Sequence, residues 1–151
     1  MHSYRERLSV PVLWWILAVV CIALLGTEVW AGLGGIFPLL TYVVLALIVG
    51  AVLVNWSMAV IEVTGGRLRA GRDTLSLDQA GEVVALDEAQ AARLRGPRAD
   101  PAAHLLLRPY LKRAVYIEVA DPASKVPYWL LATRRPAELA AAIQRSHETV
   151  G

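Results

Sequence analysis

Charge is what this sequence lacks over its first third. From Val10 to Ile61, fifty-two residues, Glu28 is the one formal charge. The connection between the two apolar stretches in this run carries no Lys or Arg. Cysteine is almost missing too: Cys21 stands alone, which excludes a disulfide framework or a thiolate metal site within one chain and leaves a small apolar packing residue. His2, His104 and His147 lie far apart with no HExxH-like spacing, and neither a P-loop nor a GxSxG elbow occurs. No metal, cofactor or catalytic residue is expected. Charge of one sign is also missing: residues 62–151 hold thirteen Lys/Arg against eleven Asp/Glu, too balanced for a general nucleic-acid binder.

What is present is apolar length. Residues 10–30 and 36–61 each exceed the about 20 apolar residues that cross a bilayer core. Between them lies the kink-prone Ala31-Gly32-Leu33-Gly34-Gly35. This predicts a transmembrane helical hairpin over 10–61, preceded by a cytoplasmic tail, 1–9. Arg5 and Arg7 precede the hairpin, and Arg67, Arg69 and Arg72 follow it, so the positive-inside rule predicts a multi-pass protein of the cell membrane with both termini cytoplasmic. Trp14, Trp15 and Trp56 fall at one interface and Trp30 and Phe37 at the other, as amphipathic rings prefer. A cleaved signal peptide ending at Val29-Trp30-Ala31 is the rival, disfavoured by its length and by the second apolar segment. Glu28 reads as a snorkelling carboxylate near headgroup depth, and Ala46 with Gly50 as a weak small-residue pair for helix approach. A transporter or channel is not indicated.

After Ile61 the period changes from helical to alternating. Val60–Thr64, Arg67–Ala70 and Thr74–Leu77 read as short strands joined by Gly65-Gly66 and Gly71-Arg72-Asp73. Gly81–Leu86 is a further strand. Asp87 then caps a short helix over Glu88–Leu94, and strands follow at 105–108, 114–120 and 128–133. A final helix starts at Pro136, with Leu139, Ala142 and Ile143 as its apolar stripe. About seven strands closed by a carboxy-terminal helix predict a small antiparallel, pleckstrin-homology-like (PH-like) β-barrel or bent sheet over 62–151. The fold class is thus an α+β membrane protein.

The most suggestive side chains are basic and aromatic: Arg108, Tyr110, Lys112, Arg113, Trp129, Arg134 and Arg135 come from strands or strand ends that topology could bring together. Converging on a rim, they would contact anionic lipid headgroups. A solvated rim over core aromatics is the alternative.

The order Tyr4-Arg5-Glu6-Arg7-Leu8, apolar hairpin, Gly71-Arg72, Ala99-Asp100-Pro101-Ala102-Ala103, Arg108-Pro109-Tyr110 and Pro127–Leu139 resembles an actinobacterial family of small membrane proteins, known as domain of unknown function 3093. The resemblance covers nearly the whole chain and implies a bacterial inner-membrane protein. It brings no activity, cofactor or catalytic residue. The expected function is therefore a non-enzymatic, membrane-tethered adaptor that meets a protein partner, or another copy of itself, through an exposed strand edge or the final helix. Anionic-lipid sensing by the basic–aromatic rim is the second expectation, and an enzyme acting on a membrane lipid the third.

Overall fold

The computed structural model describes residues 4–32, 34–97 and 99–150. The chain divides into two compact units, Ser9–Met58 and the combination of Met1–Leu8 with Ala59–Gly151.

The first unit is a pair of helices, α1 (Val12–Gly32) and α2 (Phe37–Ser57), of 21 residues each. Both are long and apolar enough to cross a membrane. Only 6% and 11% of their apolar windows are buried, which sets them apart from the core helices of a soluble domain. The second helix stops four residues before the predicted Ile61, because Val60 already belongs to a strand. Pro38 sits in its first turn, where a missing N–H costs nothing. The two helices meet where Trp14 packs edge-on against Trp56 (centroids 6.1 Å apart, planes at 70°) and where the Val10 amide donates to Ser57 Oγ at 3.2 Å. Nearer the other end, Gly26 is buried under the Tyr42 ring, so close that a Cβ on Gly26 would lie 1.9 Å from a ring carbon. The close approach is thus at Gly26. Gly50, half of the pair singled out by sequence, has nothing within 4 Å of where its Cβ would stand.

The second unit holds two four-stranded sheets. In the first, β1 (Tyr4–Arg7), β2 (Val60–Thr64), β3 (Arg67–Ala70) and β4 (Asp73–Ser76) form an antiparallel meander in that order. Gly65 and Gly66, at φ 56° and 73°, make the two-residue turn between β2 and β3, whose twist requires positive φ at both positions. Alternation along these strands sends Ile61, Val63, Leu68, Ala70 and Leu75 to the core. Strand β1 lies in what the sequence reading took for a tail. It pairs antiparallel with β2, Arg7 opposite Val60 and Tyr4 opposite Val63, so the helical pair is an insertion between two neighbouring strands of one sheet.

A single 3-10 turn, Leu77–Gln79, leads to the second sheet, ordered β5 (Ala80–Leu86), β7 (Ala114–Val119), β8 (Tyr128–Ala132), β6 (His104–Leu106). Helix α3 (Glu88–Arg95) follows β5, one residue longer than expected. Its capping box is complete: the Gln90 amide donates to Asp87 Oδ1 at 2.8 Å and the Asp87 amide to Gln90 Oε1 at 3.0 Å. Strand β6 lies parallel to β8, against the antiparallel expectation, because the chain reverses twice between them, into β7 and again into β8. All five residues of β8 are buried. Helix α4 (Pro136–Val150) packs Leu139, Ala142 and Ile143 inward, as its stripe predicts.

The unit is α+β, but the strands do not close into the predicted barrel. Strands β4 and β5 lie at sheet edges on either side of the 3-10 turn, and β1 and β6 form the other two edges. What joins the sheets is packing. One core unites Leu8 and Ile61 of the first sheet side, Ile117 and Leu131 of the second sheet, and Leu139 and Ile143 of α4. A smaller core under α3 gathers Leu86, Ala91, Ala114, Tyr128 and Leu130.

Candidate functional site

The predicted basic–aromatic residues separate into three groups. Trp129 leaves the surface altogether: it is 7% exposed, pairs in register with Ile117 and His104, and stacks on the His104 ring with centroids 4.1 Å apart. The reason is that β8 is covered on both faces, so its unbroken apolar run is core rather than rim. His104 Nε2 in turn lies 3.5 Å from Asp73. Lys112 and Arg135 are exposed and engaged locally, Lys112 with Glu88 at 3.0 Å and Arg135 with Glu138 at 3.4 Å.

The remaining residues come together. Tyr110 donates its hydroxyl to the Leu8 carbonyl at 2.9 Å. Burial raises its pKa, while Arg108 and Arg134 beside it pull in the opposite direction. Arg108 donates to the Leu107 carbonyl, and its Nε is buried with no hydrogen-bond partner among the described residues. The Arg113 carbonyl accepts from the Thr133 amide at 3.1 Å, which ties Arg113 to the residue preceding Arg134.

Around this group runs a polar network that sequence reading missed. Glu6, on the inward face of β1, accepts from the Tyr4 hydroxyl at 2.9 Å, the Arg134 amide at 3.0 Å and the Thr133 hydroxyl. Thr133, 1% exposed, also accepts from the Arg135 amide at 3.0 Å, where the chain enters α4. Burial pushes the Tyr4 phenol well above its ordinary value, with the Thr133 hydroxyl opposing and the Glu6 carboxylate adding to the rise. The signal available in the sequence was Tyr4, Glu6 and Leu8 at alternate positions.

On another side, an exposed strand edge and the final helix line one groove. Gly81, Glu82 and Val83 of β5 face Ile143, Gln144, His147 and Glu148 of α4 across about 460 Å³. Strand β5 is an edge of its sheet, and its register shifts between Ala80 and Val83. At this irregularity the Glu82 amide donates to Glu118 Oε2 at 3.4 Å. Gly81 permits the approach, since a Cβ there would lie 3.1 Å from the same oxygen. The groove has an apolar floor in Val83 and Ile143 and carboxylates at Glu82 and Glu148. Nearby Asp78 is held below the ordinary carboxylate range by the Ser76 hydroxyl first, and also by backbone amides and the His147 ring. Such a groove offers backbone groups to an extended segment and negative charge to a basic one. No group of three or more His, Cys, Asp or Glu suited to a metal ion occurs among the described residues.

Fold and surfaces together define a class: a small α+β unit interrupted, after its first strand, by two helices apolar enough to span a membrane. The chain belongs to the family described as Protein of unknown function (DUF3093), whose sequence profile matches residues 3–143. No curated protein and no solved structure matches it.

Proposed function

We propose that this chain is a non-enzymatic membrane adaptor: a hairpin spanning the cell membrane twice, both ends cytoplasmic, holding an α+β docking unit at the inner surface. The observation that carries the anchoring is the pairing of β1 with β2. Strands in one sheet lie on the same side of a bilayer, so α1 and α2 together make an even number of crossings. The arginines at both ends of the hairpin select the cytoplasmic side. The same pairing speaks against signal cleavage, because a cut after Ala31 would remove β1 and the fully buried Leu8.

The docking surface in this reading is the β5–α4 groove. An extended partner segment adds to the β5 edge, sets an apolar side chain over Val83 and Ile143, and directs a cation to Glu82 or Glu148. A photocrosslinker at Gln144, in membranes carrying the full chain, tests this. The expected result is a discrete adduct that is lost when Glu82 and Glu148 are both changed to Lys. The same adduct from a crosslinker at Thr74, on the other sheet, or no adduct at all, would overturn the assignment.

A further inference from the structure

We infer that the arginines gathered where the chain leaves for α1 and returns from α2 form a collar for anionic lipid headgroups. The inference rests on the membrane reading above but uses a different surface from the groove. At that end of the first sheet, Arg7 lies opposite Val60. The Gly71 amide donates to the Val60 carbonyl at 2.9 Å, which brings the Gly71-Arg72 turn to the same end. Arg69 reaches it as well, its Nε donating to the Gly71 carbonyl at 3.4 Å. Leu8 comes next along β1, and the Tyr110 hydroxyl on its carbonyl brings in Arg108 and Arg134, both near enough to act on that phenol. Arg7, Arg69, Arg72, Arg108 and Arg134 thus come from four separate stretches of chain to one end of the unit.

Three carboxylates lie among these arginines: Glu6 beside Arg7, Glu62 opposite Arg69, and Asp73 after Arg72. Glu6 accepts from Tyr4, Thr133 and the Arg134 amide, and Asp73 faces His104. Five guanidinium groups against these three carboxylates leave the formal charge at this end positive.

Chain length makes a headgroup the matching ligand. Ser9, Val10 and Pro11 separate Leu8 from α1, and Met58 and Ala59 separate α2 from β2. At no more than about 3.6 Å per residue, these connections keep Leu8 within about 15 Å of Val12 and Val60 within about 11 Å of Ser57. The interfacial layer is itself several Å deep, and attraction to anionic lipid persists over about one Debye length, ~8 Å at physiological salt. Arginine pairs with phosphate oxygens through two parallel N–H bonds, so a phosphodiester headgroup suits the collar's chemistry.

Native mass spectrometry of the full chain, released from micelles of equal phosphatidylcholine and phosphatidylglycerol, tests the proposal. The expected result is preferential retention of phosphatidylglycerol, lost in 1 M salt. Replacing Arg69, Arg72 and Arg108 together by Gln should weaken retention by about fivefold per arginine. The triple Lys variant should retain the anionic lipid, which separates loss of charge from loss of fold. Equal retention of both lipids, a preference that survives the Gln variant, or protection by inorganic phosphate alone to the same degree would each overturn the collar. Alkaline carbonate extraction of the chain from membranes would instead overturn the membrane reading itself.

Discussion

Glu6 and Thr133 hold the amino-terminal strand to the end of β8 and the start of α4, and both are ordinary in the sequence. Nothing about a Glu between two arginines announces that it faces inward. The information lies in its partners, more than 120 residues away, and long-range partners are what local patterning cannot supply. Thr133→Val keeps the volume but removes a donor to Glu6 and the acceptor of the Arg135 amide. It should cost about 1–3 kcal/mol, read as a fall of several degrees in the unfolding midpoint in detergent, with Thr133→Ser close to the parent. Tyr4 adds a pH dependence. Its phenol titrates higher folded than unfolded, so its contribution is intact below about pH 10 and is lost as the pH rises through the folded value. Tyr110 and Tyr116 shift in the same direction, both chiefly through burial. Tyr4→Phe should therefore make the alkaline decline in stability shallower without abolishing it, and an unchanged slope would refute Tyr4 as a contributor.

Most elements were legible because each has a local physical cause. The helices α1 and α2 follow from uninterrupted apolar length, α4 from a stripe at helical spacing, and α3 from Asp87 with Gln90 three residues on. Losing that cap in Asp87→Ala should cost about 1 kcal/mol, visible as faster amide exchange in residues 88–91. Three features were hidden. Strand β1 has only four residues and finds its partner beyond the hairpin. The parallel placement of β6 depends on which edge of β8 is free. The burial of Trp129 depends on the first sheet and α4 packing against its face of β8, although the near-continuous apolar run of β8 was the available sign. Within the hairpin, spacing suggested Ala46 and Gly50, whereas the tight contact pairs Gly26 with a large ring. Gly26→Leu should force Tyr42 out and loosen the pair by about 1–3 kcal/mol, detectable as a slower-migrating species in SDS. Adding Tyr42→Ala should recover part of the loss, and strict additivity of the two changes would deny that the residues are coupled.

At the scale of the whole molecule, the insertion of two apolar helices between paired strands restricts, in the proposed membrane arrangement, how the chain can cross a bilayer. A unit attached by one flexible linker could lie anywhere near the surface, but this one is attached at two neighbouring strands, with four residues (8–11) on one side and two (58–59) on the other. In that proposed arrangement both attachments reach the same membrane face, and β1 is retained only if the chain is not cut after Ala31. Cysteine scanning in a Cys21→Ser background tests the arrangement. An impermeant maleimide should label Gly34→Cys from outside right-side-out vesicles, while Arg5→Cys and Thr149→Cys should react only in inverted ones. The intact mass of the extracted protein should include residues 1–31. Labelling of Arg5→Cys and Thr149→Cys from opposite sides would be incompatible with β1 beside β2, since one sheet cannot form through a bilayer.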